Sequence, residues 1–258
     1  MSPKRQDCGL WATLAKTHPA GTLLPRHQHQ TGQLVFAVNG VMLVETPLAR
    51  WTVPPQRALW IPPGHPHAIH VISTTEMRTV YCQPALILQC EAFARQNEVH
   101  AVVASTLIKE LVLGLFDEQF NHTTRYLMVS LLLQTLRQTP NLPTHLPMPV
   151  SEGMRRALAM LLQPQGWRLP MHQLASEAAM SERTFTRRFS AELGLSFRAW
   201  RQRARILSSL DLLTTDQPIK AIAHALQFGS SAAYVAAFRA LLGDTPNAFR
   251  LERRAGRQ

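Results

Sequence analysis

Apolar and polar positions along the chain follow two different periods. Up to about residue 90, short apolar or alternating runs at 34–38, 41–45, 59–61, 68–72 and 77–82 are separated by glycine and proline. That pattern predicts strands joined by tight turns. Pro54-Pro55, Pro62-Pro63-Gly64 and Pro66 mark turns that no helix tolerates. Many short strands at close spacing predict a small β-barrel or sandwich. One more strand is expected at 99–104, and then the period lengthens. Ser105 caps a predicted helix in which Leu107, Ile108, Leu111, Val112, Leu115 and Phe116 recur at helical spacing. A second helix over 123–138 carries Leu127, Leu131 and Leu132.

Residues 139–150, TPNLPTHLPMPV, hold four prolines and predict a semi-rigid linker. Beyond them the chain reads as helices throughout: 151–162, 171–179, 181–193 and 196–213, then shorter ones after Pro218, Ser230 and Pro246. The expected architecture is an α+β chain of several parts. A barrel covers 1–90, a helical segment that could pack on it or on a second copy covers 91–138, and a linker covers 139–150. An all-α domain fills 151–258.

Chemistry concentrates first in the helix at 181–193. Ser181 is a suitable N-cap and Gly194 suits the left-handed position past a helix end. Phe185, Phe189 and Leu193 form one apolar stripe. Arg183, Thr186 and Arg187 cluster on the opposite side, flanked by Thr184 and Arg188. Such a helix suits the major groove of DNA, where arginine reads guanine edges and grips phosphate. A plain solvated helix has the same pattern, so charge distribution decides. The net charge is +11, and it is uneven: 11 Lys and Arg face 8 Asp and Glu up to residue 150, against 16 and 8 afterwards. A basic half beside a near-neutral half predicts a polyanion-binding module. No apolar run approaches the roughly 20 residues of a membrane helix, and the N-terminus lacks the apolar core of a signal peptide. Cys8, Cys82 and Cys90 share no metal or redox spacing, which predicts a cytoplasmic protein with reduced thiols.

The histidines mark a second site. His27 and His29, two apart, would share one face of a strand, and Gln33 and a cluster at 62–67 follow. Gly21, His27, His29, Gln33 and Gly40, then Pro62, Gly64 and His67, resemble the two motifs of the cupin barrels, G-x5-H-x-H-x3-E-x6-G and P-x-G-x2-H. Gln33 replaces the usual glutamate, Gln56 a glycine and Val71 an asparagine. The resemblance implies that His27, His29, Gln33 and His67 hold zinc or a similar divalent ion. The alternative is a metal-free pocket in which they hydrogen-bond a small effector. His65 and His70 are expected at the rim, and Trp51 and Trp60 in the core.

The C-terminal order of helices resembles the DNA-binding domain of AraC/XylS-family transcription regulators. LAxxAxMSxRTFxRRF at 174–189, GxSFxxW at 194–200 and GxTPxxFR at 243–250 carry the likeness, with Arg205, Leu212-Leu213, Pro218-Ile219, Ile222-Ala223, Phe228 and Phe238-Arg239. Two helix-turn-helix units thus repeat about 50 residues apart. The resemblance implies base-reading positions at Arg183, Thr186 and Arg187 in the first unit. In the second they fall on Ser231, Ala232, Val235 and Ala236, with Ser230 and Arg239 near phosphate. The implied protein is a regulator of transcription rather than an enzyme. It is expected to bind double-stranded DNA and a small effector, and no membrane, as a homodimer with RNA polymerase as a further partner. The rival is a metal-dependent cupin enzyme with a nucleic-acid-binding tail, which Gln33 in place of glutamate weakens.

Overall fold

The structure, a computed structural model, describes residues 4–90, 98–142, 145–163 and 165–255. Residues 91–97 of the predicted helical segment and the ends 1–3 and 256–258 lie outside the described residues. The chain divides into two compact units, Met1–Thr46 with Trp51–Pro143, and Pro47–Arg50 with Thr144–Ala255.

In chain order the strands are β1 (Lys4–Asp7), β2 (Trp11–His18), β3 (Leu23–His27), β4 (Gly32–Asn39), β5 (Met42–Glu45), β6 (Ala49–Val53), β7 (Arg57–Ile61), β8 (His67–Val71), β9 (Thr75–Cys82) and β10 (His100–Val103). One antiparallel sheet has the order β1-β2-β9-β4-β7-β10, and the second contains β6-β5-β8-β3. The two sheets form the expected cupin-like sandwich. Its central strands β4 and β7 are buried on both faces. Leu34, Phe36, Ala58, Trp60, Val80 and Cys82 pack under two helices, α2 (Thr106–Gly114) and α3 (His122–Gln138). Alternation along the strands turns Gln33, Val35, Ala37, Leu59, Ile61 and Thr79 the other way, toward Met42, Val44, Ile69 and Val71 of the second sheet. A strand covered on both sides has no polar face to alternate, which is why β4 and β7 read as continuous apolar runs.

Local signals set the helix ends. Ser105 accepts the Ile108 N–H and Asn121 accepts the Thr124 N–H. Gly40 makes the turn between β4 and β5 at φ +76°, where a Cβ would stand 2.4 Å from the Thr74 carbonyl oxygen. A short helix, α1 (Pro84–Gln89), lies inside the stretch expected to be barrel only, and β10 is the strand expected at 99–104.

The C-terminal unit holds α4 (Glu152–Leu161), α5 (Met171–Glu177), α6 (Glu182–Leu193), α7 (Phe197–Leu212), α8 (Ile219–Ala225), α9 (Ser231–Leu242) and α10 (Pro246–Ala255). Its core gathers Phe185, Phe189, Trp200, Tyr234 and Phe238. Part of the proline-rich stretch expected to be linker belongs to it. Leu146 is 4 % exposed in that core, and the Trp200 indole N–H donates to the Pro147 carbonyl at 2.7 Å. Proline carbonyls remain good acceptors even where the ring removes a donor. Leu146→Ala is therefore expected to destabilise the unit by about 2–4 kcal/mol in urea unfolding, whereas a free linker would tolerate it.

Candidate effector site and nucleic-acid interface

β3 ends at His27, and His29 sits in the turn before β4 rather than on a shared strand. This corrects the expectation that both lie on one strand face. Two rings nonetheless meet a third, because β3 pairs with β8 and sets His27 directly opposite His67. Ring centroids are 4.4 Å apart for His27–His67, 5.3 Å for His29–His67 and 6.0 Å for His27–His29. One ring nitrogen from each lies within 4.8 Å of the other two. Gln33 opens the buried run of β4 beneath them, 2 % exposed.

Their hydrogen bonds share one pattern. Each Nδ1 faces a backbone carbonyl two residues away: His27 to Pro25 at 2.8 Å, His29 to Thr31 at 2.8 Å and His67 to His65 at 2.9 Å. A carbonyl only accepts, so each Nδ1 carries the proton and each Nε2 keeps a lone pair. This is the tautomer that metal-ligating imidazoles adopt. The Nε2 of His67 is buried without a hydrogen-bond partner. Burial pulls the His67 pKa down to about 4, so the ring stays neutral near pH 7. His29 Nε2 lies 2.9 Å from Gln33 Oε1. A half-turn of that amide presents its NH2 to the Nε2 lone pair in a metal-free site, whereas the present orientation turns Oε1 toward a shared cation. The donor set thus fits a late divalent ion.

A cleft of about 370 Å³ adjoins the cluster, lined by His29, Thr31, Tyr81, Trp11 and Leu14 among others. Tyr81 packs edge-on against His29 at 5.3 Å. Its position is hidden in the sequence, since only the register Gln33↔Tyr81 brings it there. His65 is half-buried, and His70 sits 3.4 Å from Glu45 on the outer part of the sheet. Trp51 and Trp60 are both buried.

In the C-terminal unit, Ser181 accepts the Thr184 N–H, Gly194 closes α6 at φ 68°, and Phe185 and Phe189 are fully buried. The helix is thereby fixed with Arg183, Thr186, Arg187 and Arg188 exposed. Thr184 is half-buried and its hydroxyl accepts from Ser181, and the Thr186 hydroxyl donates to the Glu182 carbonyl at 2.9 Å. Among the expected readers, the two arginines keep their donors free of protein partners among the described residues. In the second unit Ser230 is the N-cap of α9, accepting the Ala233 N–H. Ala232 and Arg239 are exposed, while Val235 is half-buried against the domain core. The sequence does not foretell a cleft of about 400 Å³ lined by Arg198, Arg201 and Arg205 of α7 together with Gln227 and Gly229.

Both turns bend through a left-handed residue that is not glycine, Ala179 at φ 55° and Gln227 at φ 60°. Left-handed backbone costs such residues about 1–2 kcal/mol, partly offset by the chain entropy that glycine would lose. Ala179→Gly and Gln227→Gly are each expected to raise stability by about 0.5–1 kcal/mol. A lower unfolding midpoint in both variants would contradict that reading of the turns.

The sequence matches two families: "Helix-turn-helix domain" over residues 174–252 and "AraC-like ligand binding domain" over residues 13–136. It is also 32 % identical, over 87 % of this chain and 81 % of the relative, to the HTH-type transcriptional regulator NimR of Escherichia coli K12. The chain is an AraC-family transcription regulator. By these matches the C-terminal unit of the regulator is a DNA-binding helix-turn-helix domain and the N-terminal unit an effector-binding one. Solved structures similar to it include ToxT of Vibrio cholerae O395, 12 % identical over 94 % of this chain and 97 % of that one, with a TM-score of 0.39. Another is the DNA-binding domain of AdpA in complex with a target DNA, 33 % identical over 42 % of this chain and 97 % of that one, TM-score 0.38. Among the described residues no helix is long and apolar enough to cross a membrane.

Proposed function

We propose that this cytoplasmic regulator takes its effector beside a divalent ion, of the zinc class, held by His27, His29 and His67 with Gln33 as a weaker fourth donor. The observation that carries this is the set of three imidazoles, each with Nδ1 tied to a carbonyl, gathered with ring nitrogens within 4.8 Å. An ion held there supplies Lewis-acid attraction for an electron-pair donor on the effector. The adjoining cleft with Tyr81 and Trp11 supplies apolar surface. The effector controls DNA binding only through unequal affinity for two arrangements of the protein.

DNA is read chiefly by Arg183, Thr186 and Arg187 of α6. The second unit contributes phosphate contacts through Arg239 and the α9 N-terminus, and a methyl contact through Ala232. The half-burial of Val235 leaves that helix little side chain to offer a base edge. A homodimer suits the N-terminal unit, because Leu127 and Leu131 lie one turn apart on α3 and are exposed, 62 % and 49 %. RNA polymerase is the second protein partner expected of such a regulator.

Footprinting on fragments selected from host DNA, with and without a chelator, tests the whole reading. One protected site per subunit across two adjacent major-groove turns is expected, altered by the chelator. Base substitutions under α6 are expected to cost about 1–3 kcal/mol each, and those under α9 much less. Binding without sequence preference at any salt would refute the reading. Equal intolerance in both half-sites would refute the unequal roles of the two units.

A further inference from the structure

Arg57 opens β7 on the face opposite Ala58 and Trp60, which pack under the helices, so its side chain belongs to the interior of the sandwich. It is 5 % exposed and is the one buried lysine or arginine among the described residues. No carboxylate among the described residues pairs with it, and its Nη1 is buried without a hydrogen-bond partner. Burial alone pulls its pKa down, to about 10, so the group remains a cation near pH 7. A buried charge without a counter-charge is strongly unfavourable, and folded proteins rarely keep one without a use.

Two more buried polar atoms without partners face the same interior. One is Thr79 Oγ1, on the β9 position paired with Val35, which in turn pairs with Leu59 of β7. The other is His67 Nε2. Nearly all buried polar groups are satisfied in a folded protein; the ion accounts for His67 Nε2, which leaves Arg57 Nη1 and Thr79 Oγ1 as interior polar atoms for a ligand to complete. Ala37, next along β4 after the Phe36–Ala58 pair, puts a small side chain beside Arg57. Ile61, at the far end of β7, pairs with Gln33. Arg57 therefore lies four residues, roughly 13 Å, along the strand from the histidine end.

We propose that Arg57 anchors an anionic group of the effector, and that this group is a carboxylate. Its guanidinium fork matches the two carboxylate oxygens, and the Thr79 hydroxyl is the second interior donor. One buried cation balances one negative charge. A phosphate dianion would leave net charge in the interior, and no second buried lysine or arginine stands among the described residues to offset it. The proposal rests on the reading of this unit as the effector site, and it gives that effector a chemical class.

The test is the melting temperature of the full-length protein with benzoate or octanoate, each against its own amide at matched concentration. The acids are expected to raise it by about 2–4 °C more than the amides. Arg57→Met should abolish that difference and, by removing an unpaired buried charge, melt higher than wild type without ligand. Thr79→Val, nearly isosteric, should reduce the acid preference and leave the response to amides unchanged. The proposal is overturned if acids and amides act alike on wild type, including no shift by either, or if the acid preference survives in Arg57→Met. An Arg57→Met protein that melts lower or does not fold would make Arg57 structural and overturn it equally, with Thr79→Val as the check. No DNA is present in these melts, so their failure leaves the operator-binding reading standing, and a protein lacking operator preference can still pass them.

Discussion

Replacing Arg187 by alanine is expected to weaken operator binding by about 1–3 kcal/mol, roughly fivefold to 150-fold, and to relax preference at one base pair. The size follows from how α6 is held. Its Ser181 cap, its Gly194 stop and two fully buried phenylalanines fix the helix, so an exposed arginine on its outer face starts from a set position. No hydrogen bond or ion pair within the described residues competes for the Arg187 guanidinium, so its donors are available for a guanine edge. Arg188, one position round the helix and also exposed, serves as the control. If it contacts phosphate, Arg188→Ala weakens all sequences alike and lowers the salt slope by about one. Anisotropy titrations on the operator and its single-base variants, at several salt concentrations, separate the two behaviours. A uniform loss in Arg187→Ala with a reduced salt slope would reassign Arg187 to phosphate.

The C-terminal unit is legible in the sequence because its information is local. Ser181, Ser196 and Ser230 each accept an N–H three residues on, and Gly194 and Gly243 stop their helices at positive φ, as their residue types alone suggest. The sandwich is legible only where one face repeats. β2 is hidden because WATLAKTH has no clean alternation; its strand character comes from a long register with β9, from Trp11↔Cys82 to His18↔Thr75. β3 carries Pro25 and is mostly exposed, so neither burial nor propensity marks it. That gap explains the one geometric misreading in the histidine cluster. Spacing puts His27 and His29 on one strand face, yet the cluster exists because β3 ends, the chain turns, and pairing with β8 supplies His67. The motif spacing picks out three histidines that the fold does bring together, though not by a shared strand face. Arg57 and Tyr81 lie beyond reach altogether, since their neighbours come from strands distant in sequence.

The sharpest separation of a metal site from a metal-free one comes from Gln33→Glu. In wild type, zinc is expected to raise the melting temperature, and His67→Ala to abolish that rise, because a site with two imidazoles and an amide holds too few good donors. Gln33→Glu acts with opposite signs in the two states. Without an ion, the new carboxyl is buried beside neutral rings, so it must either stay protonated or carry a poorly paired charge, and the protein should lose stability. With an ion, the carboxylate adds a full negative charge against the cation. At an effective dielectric near 20 the attraction of a unit charge to a divalent ion is worth about 8 kcal/mol at 4 Å, and desolvation of the carboxylate takes back a large part. A net gain on the order of tenfold in zinc affinity is expected. Calorimetric titration of apo wild type and variant measures it directly, and melts with and without zinc supply the stability arm. A metal site predicts a variant less stable than wild type when apo and more strongly rescued by zinc. A metal-free pocket predicts only the first half, because a lost amide donor to His29 and a buried acid remain costly whatever is added to the buffer.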